Sequence, residues 1–232
     1  MWVKICGITS EEDALLAVAM GADAVGFIFA PSPRQMSPSA VHAITRRLPP
    51  EILTVGVFRD ERPQTVVDVV NRAGLKAAQL HGNESREDCG YVSVRVPIVI
   101  KAFAAGDGRL ERAAEYGASI ILLDAPSPGS GKVFDWRLAE GAPRGHRLVL
   151  AGGLDASNVA DAIRTIHPWG VDVSTGVETS TGLEPAPGLE PAPDRKDPTK
   201  IRAFVQAARA AEPEPYDPGD DSLFDWQEET NL

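Results

Sequence analysis

Cys6 and Asp124 are the two residues of this chain best suited to move protons, and the groups that could surround them fall at regular intervals along it. A thiol that has lost its proton is a soft base. With an ordinary pKa near ~8.5, only a few per cent is thiolate at pH 7, so a base role needs a stabilised thiolate or an unusually acidic substrate proton. A carboxyl at the end of the apolar run Ile120–Asp124 is partnered, placed at an opening, or held protonated as a donor. On its own, Cys6 reads first as a small buried hydrophobe, and Asp124 equally as a cap or loop aspartate. Arg34, in the proline-stiffened segment Ala30-Pro-Ser-Pro-Arg34, suits bidentate capture of a carboxylate or phosphate, although surface arginines are common. Gln79 and His81 add polar groups two residues apart. Gly152-Gly153 and Ser174-Thr175-Gly176 offer exposed backbone N–H groups and hydroxyls, the chemistry of a phosphate cradle.

What must position these groups is a series of eight short apolar runs: Trp2–Cys6, Ala22–Phe29, Ile52–Phe58, Leu75–Leu80, Val96–Phe103, Ala118–Asp124, Arg147–Ala151 and Val171–Ser174. Between most of them the pattern is helical. Glu11–Met20 follows Thr9 as a candidate N-cap with Glu12 as its capping-box partner; Gln64–Ala73 stops at Gly74; Ser157–Ile166 stops before His167-Pro168. The helix between the sixth and seventh runs is short, and the fourth strand is weak in propensity. Strand–helix alternation with near-continuous apolar strands implies a parallel sheet covered by helices. Eight such units predict an α/β fold of the (β/α)8 TIM barrel type. A doubly wound sheet would usually carry a glycine-rich fingerprint after its first strand, which Cys6-Gly-Ile-Thr9 is not.

In such a barrel, reacting groups sit at strand C-termini, where all the residues above fall. With period 2, Trp2, Lys4 and Cys6 share a face, and the lysine marks it as inward and polar. Lys4 and Asp172 each precede a strand-end residue by two positions, on strands that closure makes neighbours. An interior ion pair is expected, and a separation above ~6 Å would exclude it.

The chain has 232 residues, 43% hydrophobic, enough for one sizeable core. The expected organisation is one catalytic barrel over residues 1–211, with residues 180–195 as a loop inserted after strand 8 and residues 212–232 as a disordered acidic tail. The insert holds GLEPAP twice in tandem, an extended, non-helical composition. Net charge is −10, but the tail carries eight acids and no base, leaving −2 for the rest. That balance argues against nucleic acid as a partner. No apolar stretch approaches the ~20 residues of a membrane helix, and Met1 leads straight into a strand-like segment. Cys6 and Cys89 form neither a disulfide framework nor a zinc site. A soluble, cytoplasmic protein with free thiols is expected.

Several motifs resemble the phosphoribosylanthranilate isomerase family. They are Val3-Lys-Ile-Cys-Gly-Ile-Thr9 with Glu12-Asp-Ala14, Gly21–Phe29, Ser32-Pro-Arg34, Val55-Gly-Val-Phe58, Gln79-Leu-His-Gly82, Leu122-Leu-Asp124 with Gly131–Trp136, Leu150–Leu154 with Asn158-Val159, and Val171–Glu178. The resemblance implies a tryptophan-pathway isomerase that converts N-(5′-phosphoribosyl)anthranilate to 1-(2-carboxyphenylamino)-1-deoxyribulose 5-phosphate by an Amadori rearrangement, with no metal or organic cofactor. It implies that Asp124 protonates the ribose ring oxygen to open a Schiff base and that Cys6 then removes the C2′ proton. Arg34 would hold the anthranilate carboxylate, with Gln79, His81 and Asp172 as further substrate contacts. Gly152, Gly153, Ser174, Thr175 and Gly176 would hold the phosphate. The partner implied is a small phosphoribosyl molecule, and the chain itself a monomer or homodimer. Two other readings stand beside this one: a dual-substrate isomerase serving tryptophan and histidine biosynthesis, and a non-catalytic binder of phosphorylated ligands. A metal-dependent epimerase fits less well, since only His81 of the four histidines lies at a strand end. The GLEPAP repeat and the acidic tail depart from the family pattern.

Overall fold

Eight parallel strands pair in chain order and close on themselves in the computed structural model, which describes residues 1–124, 145–179 and 195–211. The strands are β1 (Trp2–Ile5), β2 (Ala24–Ile28), β3 (Leu53–Phe58), β4 (Ala77–Leu80), β5 (Ile98–Ala104), β6 (Ile120–Asp124), β7 (Arg147–Leu150) and β8 (Gly170–Val173). All eight fall within the apolar runs of the sequence or extend them by one residue, so the barrel expectation holds. Helices α1 (Glu11–Ala19), α2 (Pro38–Thr45), α3 (Pro63–Ala73), α4 (Arg86–Ser93), α5 (Val159–Ile166) and α6 (Pro198–Ala210) pack outside, and a 3₁₀ segment, Leu110–Tyr116, connects β5 to β6. The expected helix between β6 and β7, the Gly131–Trp136 motif, the GLEPAP repeat and the tail lie outside the described residues.

Two local expectations change. The N-cap of α1 is Ser10, not Thr9: Ser10 Oγ accepts from Asp13 N at 3.1 Å, so the side chain three residues on is Asp13 rather than Glu12. Helix α5 starts at Val159, two residues later than Ser157, because the Asp155 carboxylate takes the Ser157 N–H and hydroxyl into a local turn. Its end matches: His167 adopts the left-handed conformation, φ 52°, as Gly74 does after α3.

Strand alternation divides the core in two. Trp2, Ala24, Val55, Ala77, Ile100, Leu122 and Val149 fill the barrel interior, while Val3, Ile5, Val25, Phe27, Val99 and Ile121 face the helices. Closure is completed by β1 on β8, which sets Lys4 opposite Asp172. No helix among the described residues is long and apolar enough to cross a membrane.

One buried charge pair braces the mouth of the barrel. Lys101 Nζ, fully buried on the helix side of β5, donates to Glu84 Oε2 at 2.8 Å and to the carbonyls of Leu80, Gly82 and Ala102. Glu84 Oε1 in turn accepts from Asp60 N and Gly82 N, both at 3.0 Å. The pair therefore ties the loops after β3 and β4 to β5. Lys101→Met should lower stability by about 3–5 kcal/mol, because it strands a buried carboxylate. Urea unfolding measures it, and a loss below about 1 kcal/mol would show the brace to be dispensable.

Candidate active site

At the C-terminal ends of the strands a cavity of about 270 Å³ is lined by Cys6, Arg34, Arg59, Gln79, His81, Asp124, Gly152, Gly153, Asp172, Ser174 and Thr175, among others. Every expected site residue except Gly176 lines it. The parity of the strands explains why: Cys6, Gln79, Asp124, Asp172 and Ser174 all share the inward register of the barrel core.

Cys6 lies one residue past β1, its N–H bonded to Val173 O at 2.8 Å. The inward position of β2 next to it is Gly26. A Cβ there would lie 2.8 Å from Cys6 Sγ and 3.1 Å from Lys4 Nζ, so the thiol and the ammonium occupy space that only glycine leaves. Lys4 Nζ donates to Asp172 Oδ2 at 2.9 Å with both residues buried, which is the interior ion pair expected from the sequence. Burial pushes the Cys6 thiol up and Asp172 adds to this, while the Lys4 charge pulls it down. For Lys4, burial works against the ammonium, but the Asp172 and Cys6 charges outweigh it and raise its pKa. The base candidate is thus a buried thiol beside a cation that stays charged. Asp172 Oδ1 is buried without a hydrogen-bond partner among the described residues and belongs to the cavity wall.

Asp124 ends β6 and lines the same cavity as Cys6. Its Oδ2 lies 3.0 Å from His81 Nε2, and His81 Nδ1 lies 2.8 Å from Gln79 Nε2. Gln79 and His81, expected as substrate contacts, are thus linked to one another and to the carboxyl.

Arg34 reaches the cavity across Gly7, whose missing Cβ would meet both Arg34 Cδ and Ser174 Oγ at 2.8 Å. Its Nε donates to Glu178 Oε1 at 2.7 Å and its Nη2 to Glu178 Oε2. Lys196 Nζ donates to the same Glu178 Oε1 at 2.7 Å and to Ser174 O at 3.1 Å. Glu178 therefore pins the Arg34 loop to the end of β8. Burial lowers the Lys196 pKa, and Glu178 opposes that shift. Sequence reasoning did not single out Glu178, Lys196 or Arg59. Arg59 follows β3 directly, and the rule that found Asp124 could have found it.

The glycines after β7 and the turn after β8 meet at the rim. Gly152 and Gly153 have positive φ, 88° and 67°. Gly176 does not line the cavity. A Cβ on it would lie 2.0 Å from Leu154 O, so it lets the two loops close on each other.

Lys4→Met should move the pH at which Cys6 becomes reactive upward by at least about one unit, since the larger of the charges opposing burial is then gone and only Lys196 remains. Iodoacetamide alkylation against pH reads this without reference to any activity. Cys89, pushed up to about 11 chiefly by burial, reacts only at higher pH. If the single variant does not fold because Asp172 is stranded, the Lys4→Met, Asp172→Asn pair should show a smaller upward shift. An unmoved profile in a folded variant would sink the electrostatic role of Lys4.

The chain is similar to known proteins over most of its length. The family described as PRAI, N-(5′-phosphoribosyl)anthranilate (PRA) isomerase, matches residues 3–207. The N-(5′-phosphoribosyl)anthranilate isomerase of Desulforudis audaxviator is 50% identical over 216 residues, covering 90% of this chain and 98% of its own length. The crystal structure of phosphoribosyl anthranilate isomerase from Thermus thermophilus superposes with a TM-score of 0.80 at 37% identity, covering 91% of this chain and all of that one. A phosphoribosyl anthranilate isomerase solved in complex with reduced 1-(o-carboxyphenylamino)-1-deoxyribulose 5-phosphate superposes at a TM-score of 0.74 with 40% identity, covering 90% and 98% of the two chains. With its closed barrel, its ordered strand-end groups and these matches over nearly its whole described length, the chain belongs to the N-(5′-phosphoribosyl)anthranilate isomerase family.

Proposed function

We propose that Asp124 is the general acid and Cys6 the general base of the isomerisation that this chain carries out. The reaction is the Amadori rearrangement of N-(5′-phosphoribosyl)anthranilate in tryptophan biosynthesis. The observation that supports the two roles best is that both groups open on one cavity, from β6 and β1, beneath the paired loops after β7 and β8.

Asp124 gives its proton to the ribose ring oxygen as the C1′–O bond breaks, leaving a protonated Schiff base between the sugar and the anthranilate nitrogen. The cationic imine makes the C2′ hydrogen acidic. Cys6, as thiolate beside the Lys4 ammonium, takes that proton, and the C–H electrons neutralise the imine to an enol-amine. Tautomerisation gives the ketone. One proton is delivered and one removed, so the isomerisation is balanced. A soft base suffices because the iminium does most of the activation, and Lys4 offsets part of the penalty that burial places on the thiolate.

The remaining groups are assigned by chemistry. The backbone N–H groups and hydroxyls at Gly152, Gly153, Ser174 and Thr175 hold the phosphate, with Gly176 allowing their loops to meet. Arg34, steadied by Glu178, faces the anthranilate carboxylate. Asp172 Oδ1 offers an acceptor to a sugar hydroxyl. Net charge of −10 supports a small-molecule partner over a nucleic acid.

Cys6→Ala and Asp124→Asn should each cut kcat by at least about a hundredfold, the usual scale for a positioned proton donor or acceptor, with an unchanged circular dichroism spectrum. Loss of substrate fluorescence follows the reaction. Near-normal turnover in folded forms of both variants would overturn the acid–base assignment.

A further inference from the structure

A carboxyl that donates a proton must be reloaded, and Asp124 sits at one end of a short chain of hydrogen bonds whose other end is unusual. Asp124 Oδ2 faces His81 Nε2 at 3.0 Å, and His81 Nδ1 faces Gln79 Nε2 at 2.8 Å. Gln79 is 1% exposed, and its Oε1 is buried with no hydrogen-bond partner among the described residues. A buried carbonyl left without a donor is costly, and a half-turn of the amide would exchange which of its two ends faces His81.

Proton counting gives the two orientations a meaning. When the His81–Asp124 pair holds one proton, it sits on Nε2 and points at the carboxylate. Nδ1 is then an acceptor, and Gln79 presents its N–H, which is the arrangement seen. When the pair holds two protons, either Asp124 donates to Nε2 or the ring is an imidazolium. In both cases Nδ1 carries a proton, and Gln79 must present Oε1. No other uncharged side chain of this size and shape offers a donor and an acceptor that exchange by a half-turn.

The surroundings leave the ring little other freedom. His81 N donates to Phe58 O at 2.8 Å, and Lys101 Nζ grips the carbonyls of Leu80 and Gly82 on either side of it. Among the described residues, the other charged groups near the chain are Arg59 and Asp60 after β3, the Lys101–Glu84 pair behind β4, and Asp107 bonded to Arg109 after β5, with Cys6, Arg34 and Asp172 also on the cavity wall.

We propose that Gln79 is a positioning residue for the acid step: its amide turns to accept from His81 when the His81–Asp124 pair is loaded and back to donate once the proton has left. The inference rests on Asp124 being the acid. Two isosteric or near-isosteric changes separate the profiles. Gln79→Glu puts a carboxylate against Nδ1, which favours the loaded pair, so the high-pH fall of kcat should move up by about one unit. Gln79→Met removes donor and acceptor alike, so the fall should stay near its wild-type pH while kcat drops. A side chain that only filled space would lower kcat without splitting the two profiles. In the wild type, ¹⁵N spectra assigned with His81→Gln should show the Nε2–H tautomer above the fall and a protonated Nδ1 below it. A Gln79→Glu profile that stays put, or two profiles that move together, overturns the proposal, and so does an Nδ1–H tautomer above the fall. The spectra decide if either variant does not fold. Asp124→Asn separates the two ideas: retained turnover removes the acid assignment, whereas lost turnover with unsplit Gln79 profiles removes only the amide switch.

Discussion

Closure of the barrel between β1 and β8, in the register that sets Lys4 against Asp172, is the constraint on which the site depends. Side chains alternate along a strand, so a slip by one residue would turn Lys4, Cys6, Asp172 and Ser174 out toward the helices and bring Val3, Ile5 and Val173 into the mouth. The charge pair opposes such a slip strongly. Inside the barrel the two ions neutralise each other; out of register, each would be buried alone among apolar helix contacts, a penalty of several kcal/mol. The pair contributes little net stability by comparison with apolar residues of the same volume, but it specifies one register out of those that hydrophobic burial alone would accept.

The same economy of space shapes the base side of the site. Gly26, Gly7 and Gly176 are each placed where a methyl group would collide, with the thiol and ammonium, with the Arg34 stem, and with the loop after β7. Three elements can therefore crowd around one cavity without displacing the groups that line it. Charge is handled by pairing. Arg34 and Lys196 share Glu178, Lys4 shares Asp172, and Lys101 shares Glu84, so the mouth carries many ions in little volume while each has an opposite neighbour. The two sides of the cavity differ in kind: Cys6 lies beside the Lys4 cation, whereas Asp124 faces His81 and, through it, Gln79.

Much of this was legible in the chain itself. The eight apolar runs contain or closely bracket the eight strands because fully buried parallel strands have no polar face to confuse the pattern, and even Ala77–Leu80, poor in β propensity, is held in place by pairing on both sides. Lys4 was readable because a lysine amid apolar residues with period 2 must find a partner, and strand order supplied one. Lys101 gave the same signal within Val96–Phe103, but its partner, Glu84, lies in a loop whose path no periodicity encodes. Glu178 was hidden for a similar reason: its task is set by Arg34 and Lys196, one on the loop after β2 and the other just before α6. The cap of α1 shifted from Thr9 to Ser10 because either hydroxyl fits the rule, and the choice depends on how the chain leaves Gly7, at φ 74°, under Arg34.

The brace beneath His81 gives the acid side its rigidity. Lys101 has no route to solvent and donates to three carbonyls as well as Glu84, so the loop after β4 is tied down by a charge that cannot be rehydrated without opening the wall between β5 and α4. A loop held that firmly leaves its backbone fixed through the proton transfers proposed for Asp124. In the proposed cycle the adjustment is left to the parts that can turn in place: the hydroxyl of the carboxyl, the tautomer of the ring and the amide of Gln79. Backbone rigidity and side-chain switching are thus complementary, since an imidazole that drifted by even ~1 Å would no longer sense which end of the amide it faced.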